Sequence, residues 1–78
     1  MKEFIEYLVK QIVSKPEAVG VEETKEDSFS TYKIVADKDD MGVIIGKEGR
    51  TIRSIRNMAK AKAIKDNVRI QVDLEEND

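Results

Sequence analysis

From Phe4 to Val13 the apolar residues fall into two neighbouring rows, Phe4-Leu8-Ile12 and Ile5-Val9-Val13, each with a spacing of four. That pattern is one wide apolar face of a helix, and such a face has to be covered. A chain of 78 residues holds one thin core, with roughly 60% of the unfolded surface buried. The simplest cover is one sheet with helices on one face. A membrane surface is a poorer cover, because the polar side mixes Glu3, Glu6, Lys10 and Gln11 and is not basic. The helix is expected over residues 3–14, ending before Pro16, since the residue preceding a proline avoids the helical region.

Further along, residues 18–24 and 29–36 read as two strands, with Val19 and Val21, then Tyr32, Ile34 and Ala36, alternating with polar neighbours. The polar residues 25–28 between them suit a hairpin link. Asp37, Asp39 and Asp40 are N-cap candidates for a short apolar helix starting near Met41. Residues 46–49 break that helix, and residues 50–65 resume helical spacing through Ile52, Ile55, Ala59 and Ala63. Val68, Ile70, Val72 and Leu74 then alternate with Arg69, Gln71 and Asp73 as a third strand. The order is helix, strand, strand, short helix, long helix, strand. The expected fold class is α+β, a three-stranded sheet with helices packed on one face, in one domain over residues 1–78. Residues 75–78 are expected to be a frayed acidic tail.

Several function classes lose their chemistry at once. There is no cysteine and no histidine, which removes disulfides, the usual zinc sites and the Cys/His or Ser/His nucleophile pairs. No cofactor and no metal site are expected, and an enzyme is the least supported class. Phe4, Tyr7, Phe29 and Tyr32 are the only aromatic residues, too few for an aromatic cage or a base-stacking platform. No unbroken apolar run exceeds the three residues of stretches such as Val43-Ile44-Ile45, against roughly 20 residues for a membrane span. A cytoplasmic, non-membrane protein is expected.

The net charge of −2 hides a strong asymmetry. Residues 41–65 carry Lys47, Arg50, Arg53, Arg56, Lys60, Lys62 and Lys65 against one acid, Glu48, while the segments on both sides are net negative. A cation-rich segment in an acidic chain points to a local anion site. Within it, Gly46 and Gly49 flank Lys47 and Glu48, and the loop opens onto the start of the long helix. Backbone free of Cβ, a positive helix end and a lysine at the tip suit a phosphate. Arg50 and Arg53 follow within a turn. A Walker A loop is excluded, because three residues separate Gly42 from Gly46 and Lys47 is followed by Glu48. A dinucleotide fingerprint is excluded by Ile44.

The run Val43-Ile44-Ile45-Gly46-Lys47-Glu48-Gly49-Arg50-Thr51-Ile52 resembles the core of a KH domain, an RNA-binding module whose G-x-x-G loop clamps about four nucleotides. The element order is that of the type II arrangement, and the likeness is greatest to the small, free-standing bacterial KH proteins of the KhpA type. The resemblance implies a single-stranded RNA site with Gly46, Lys47, Glu48 and Gly49 as the clamp. It implies an apolar base groove drawing on Ile44, Ile45 and Ile52, and backbone groups of the last strand, around Val68 to Val72, offered to base edges. Glu48 is expected to favour the start of the long helix. The resemblance also implies a post-transcriptional regulator or RNA chaperone that forms a homodimer or a heterodimer with a larger KH-containing protein. The alternative from another class is an adapter acting mainly through that dimerisation.

Overall fold

The computed structural model describes residues 1–75; residues 76–78 of the expected acidic tail lie outside the described residues. Helix α1 spans Lys2–Lys10. Its buried row is Ile5 and Val9, while Phe4 and Leu8 are half-buried and Ile12 is 37% exposed. The helix stops four residues short of the expected end. Gln11 and Ile12 tighten the last turn by donating to the carbonyls of Leu8 and Val9. Beyond them Ser14 and Lys15 are held by a distant carboxylate, Asp40. It accepts from Ser14 N at 3.0 Å, Ser14 Oγ at 2.7 Å and Lys15 N at 3.1 Å.

A 3₁₀ turn over Pro16–Ala18 delays the first strand, so β1 runs Gly20–Glu26 and β2 runs Phe29–Val35. They pair antiparallel from Gly20 opposite Val35 to Glu26 opposite Phe29. That register leaves a link of Asp27 and Ser28, with Asp27 in the left-handed region at φ 52°. Strand β3, Arg69–Leu74, lies parallel to β2, with Phe29 opposite Arg69 and Ile34 opposite Leu74. The sheet order is β1-β2-β3, so β3 is an edge. A parallel return needs a crossover. Helices α2 (Met41–Ile45) and α3 (Arg50–Lys65) supply it.

One apolar cluster joins the layers. Ile5 and Val9 of α1, Ile52, Ile55 and Ala59 of α3, and Val21, Tyr32, Ile34 and Val72 of the sheet pack together. The fold is therefore α+β, with a three-stranded mixed sheet and its helices gathered on one face. Tyr32 is 4% exposed and donates its hydroxyl to Glu23, its cross-strand neighbour, at 2.7 Å. Burial first, and the carboxylate second, push its phenol up.

Asp40 is the only buried charged residue among those described, at 3% exposure. It precedes α2, but its side chain does not cap that helix. Asp37 caps the preceding 3₁₀ turn instead, accepting from Asp39 N at 2.9 Å. The Ser14 backbone N–H, then the Ser14 hydroxyl, hold the Asp40 carboxyl below its ordinary range. A carboxyl depressed by folding stabilises the fold fully above its unfolded value, about 4, and loses that contribution as pH falls through the folded value. Thermal unfolding midpoints of wild type should therefore fall steeply below about pH 4. Asp40→Asn should be less stable at neutral pH and show a shallower acid decline. Parallel declines in the two proteins would exclude this latch as a source of acid sensitivity.

Candidate nucleic-acid interface

Helix α2 closes with Gly46 N donating to Gly42 O at 2.8 Å. The chain then turns on three consecutive features. Gly46 has φ 77° and ψ 171°, Glu48 has φ 58° and ψ 25°, and Gly49 has φ 73° and ψ 16°. Gly49 N donates back to Gly46 O at 3.1 Å. The two glycines are not equivalent. A Cβ on Gly46 would sit 2.7 Å from Thr51 Cβ and 2.8 Å from Thr51 N, whereas one on Gly49 would meet nothing within 4 Å.

The turn leaves Lys47 and Glu48 exposed beside the start of α3, whose free N–H groups and dipole favour anions. The Glu48 carboxylate lies 3.3 Å from Arg50 Nη2, and Arg53 Nη2 donates to the Glu48 carbonyl at 3.4 Å. Glu48 thus lies before α3, not in its first turn, and Arg50 offsets its charge. Lys47 has no ion pair among the described residues. The loop tip presents one unopposed cation, with Arg53 behind it.

Next to the loop runs an open groove of about 450 Å³. Met41 and Ile45 of α2 form one wall, and Ile52 and Leu74 add apolar surface from α3 and β3. Arg56, Lys33 and Asp73 supply its polar atoms. Of the residues expected here, Ile45 and Ile52 line the groove. Ile44 does not: it is 0% exposed and belongs to the core, where it holds α2 down. Arg56 also closes the open edge of the sheet, donating Nε to the Val72 carbonyl at 3.0 Å. That carbonyl is therefore already engaged. Val68, expected in the strand, precedes it and is 47% exposed.

Met41, Arg56, Leu74, Lys33 and Asp73 line the groove in addition to the residues expected there. Two had a signal, since Met41 precedes Ile45 by four residues and Arg56 follows Ile52 by four, the spacing of one helix face. Lys33 and Asp73 become neighbours only through the parallel register of β2 and β3. No group of three or more acidic side chains that could hold a metal ion occurs among the described residues, and none of their helices is long and apolar enough to cross a membrane. The groove thus has an apolar floor and charged groups at its rim, with the glycine-flanked loop following Ile45.

A family model described as KhpA/KhpB, KH domain matches residues 2–74. The chain is 43% identical over 76 residues to the RNA-binding protein KhpA of Chlamydia trachomatis, covering 97% of both chains. It is 39% identical over 74 residues to the RNA-binding protein KhpA of Clostridium perfringens, covering 95% of this chain and 99% of that one. To the protein of that name from Thermotoga maritima it is 43% identical over 61 residues, 78% of this chain and 81% of the other. With the α-β-β-α-α-β order and the residue 46–49 loop already in place, these matches make the chain a member of the KhpA/KhpB KH-domain family of bacterial RNA-binding proteins.

Proposed function

We propose that the chain binds single-stranded RNA without transforming it, clamping the backbone of about four nucleotides. Phosphates lie against the residue 46–49 loop, with Lys47 and the start of α3 as the anion site and Arg50 and Arg53 as further contacts. Bases lie on Met41, Ile45, Ile52 and Leu74, where aliphatic side chains replace aromatic stacking. The observation that carries this reading is that Ile45 and Ile52, which line the apolar groove, flank in sequence the loop whose exposed Lys47 makes no ion pair among the described residues. The similarity to RNA-binding proteins supports RNA as the ligand. Acting as a binder alone, the protein serves as a post-transcriptional regulator or RNA chaperone in the cytoplasm.

A second reading is an adapter working mainly through self-association or pairing with a larger KH-containing protein. The exposed apolar residues Val43, Met58 and Ile64 favour it. Salt separates the two. With about three phosphates engaged, the log–log dependence of RNA affinity on salt should have a slope of about −2. Arg53→Gln should flatten it by about 0.7 and weaken all sequences alike. Fluorescence anisotropy of a labelled single-stranded oligoribonucleotide across a salt series measures both. Binding insensitive to salt would reject the phosphate clamp.

A further inference from the structure

Strand β1 is an open edge of the sheet. Its backbone pairs with β2 alone, residue by residue from Gly20 to Glu26 and without a bulge. No other backbone hydrogen bond reaches it among the described residues. The β3 edge is not equivalent, because Arg56 Nε already occupies the Val72 carbonyl. On an edge strand, alternate residues turn their N–H and C=O groups away from the neighbour. The seven residues of β1 therefore offer about 24 Å of main chain to a further strand.

A long, regular edge accepts another chain unless its side chains forbid it. Those of β1 are selective. Val21 is 4% exposed and packs in the core. Alternation therefore turns Glu22, Thr24 and Glu26 to the sheet face away from the helices, and all three are exposed. Glu23, on the helical side, accepts from the Tyr32 hydroxyl and lies 4.0 Å from Lys25. Glu22 and Glu26 have no ion pair among the described residues. Lys33, opposite Glu22 in the ladder, forms none with it. Two unpaired carboxylates thus stand about 13 Å apart along the edge, with Thr24 between them.

That spacing decides the occupant. A second copy fits badly, since like charges directly opposite destabilise a strand pair. In the full antiparallel overlap of two β1 strands, Glu23 meets Glu23. In the register centred on Thr24, Glu22 meets Glu26 twice. In a parallel pairing in register, each acid meets its own copy. We propose that β1 is a docking edge for an extended basic segment of another protein, which joins the sheet as a fourth strand. Lysine or arginine at two positions four apart would lie beside Glu22 and Glu26, with a small polar or β-branched residue beside Thr24. The β1 edge lies two strand spacings, about 10 Å, from β3. Docking there leaves the loop and the groove open, and the inference is independent of the RNA reading.

The test is an NMR titration of the full ¹⁵N-labelled chain with a capped seven-residue peptide. The peptide has lysine at its second and sixth positions, threonine at the fourth and valine or serine elsewhere. Amide shifts should concentrate on residues 20–26. Glu22→Lys with Glu26→Lys should weaken binding more than about tenfold, and a peptide with glutamate in place of both lysines should prefer that variant to wild type. Glu22→Gln with Glu26→Gln should weaken binding about threefold and carries the test if the lysine variant unfolds. Two further peptides, N-methylated at one or the other set of alternate amides, probe the backbone. Only the set that faces β1 should lose binding. Unchanged binding by both would overturn the proposal. So would shifts centred away from β1, or no binding at millimolar peptide, which would leave the acids as a guard against strand pairing. Shifts of the β1 amides on dilution of the protein alone would also overturn it, by giving the edge to a second copy.

Discussion

Replacing Lys47 and Glu48 together by aspartate is expected to weaken RNA binding about 30-fold with the fold intact. The substitution moves the tip charge by two units, because Glu48 is already an acid. At about 4 Å each unit is worth about 1 kcal/mol in water, so the change is about 2 kcal/mol, or about 30-fold. The fold should survive for reasons visible in the loop. Both side chains are exposed, and Lys47 makes no ion pair among the described residues. Position 48 is left-handed at φ 58°, a conformation aspartate tolerates better than most residues. An aspartate there can still face Arg50. The added anion near the start of α3 favours that helix by about 0.3–1 kcal/mol. Circular dichroism melting should therefore match wild type, while anisotropy titration with single-stranded RNA shows the loss. A folded double variant with wild-type affinity would remove the loop from the binding site.

How much of this was legible beforehand differs from element to element. Helix α1 was legible as a helix, but not which of its two apolar rows faces inward. Both rows are equally apolar, so only contact with the sheet distinguishes Ile5 and Val9 from Phe4, Leu8 and Ile12. Its end was hidden as well, because the group that draws Ser14 and Lys15 out of the helix is Asp40, 26 residues away along the chain from Ser14. The first hairpin strand lies two residues nearer the turn than expected, since Pro16 starts a 3₁₀ turn and Lys25 and Glu26 pair with Ser30 and Phe29, while the second begins at Phe29 as expected. The turn at residues 46–49 was legible because its backbone demands leave a trace in residue type, two glycines around two polar positions. The groove was half legible. Its helical wall follows from spacing, but Lys33 and Asp73 meet only once β2 and β3 are paired. Ile44 and Ile45 look alike in the run that resembles the KH core, yet one is fully buried and the other is 41% exposed, a difference set by how α2 sits on α3.

The two loop glycines should respond very unequally to alanine, and Gly46→Ala should be the most damaging change in the loop. Gly46 holds φ 77° with ψ 171°, a region essentially closed to residues with a Cβ. Its added Cβ would also press on Thr51 Cβ and on Thr51 N, the latter being backbone at the start of α3 that cannot rotate away. Strain and overlap together should cost about 3 kcal/mol. A domain of this length has about 4–12 kcal/mol of stability in total. The melting temperature should therefore fall by about 12–24 °C, with RNA binding lost because the loop can relieve the clash only by moving Lys47 and the start of α3. Gly49 is left-handed in the ordinary sense, at φ 73° and ψ 16°, with open space around it. Gly49→Ala should cost about 1–2 kcal/mol, and Gly49→Asn less, because asparagine visits that region readily. Thermal melts of the three variants decide the matter. If Gly46→Ala and Gly49→Ala shift the midpoint equally, Thr51 does not pack against the loop as described. Gly46 would then be needed only for its backbone angle, and the clamp would have slack to adapt its shape to the phosphate.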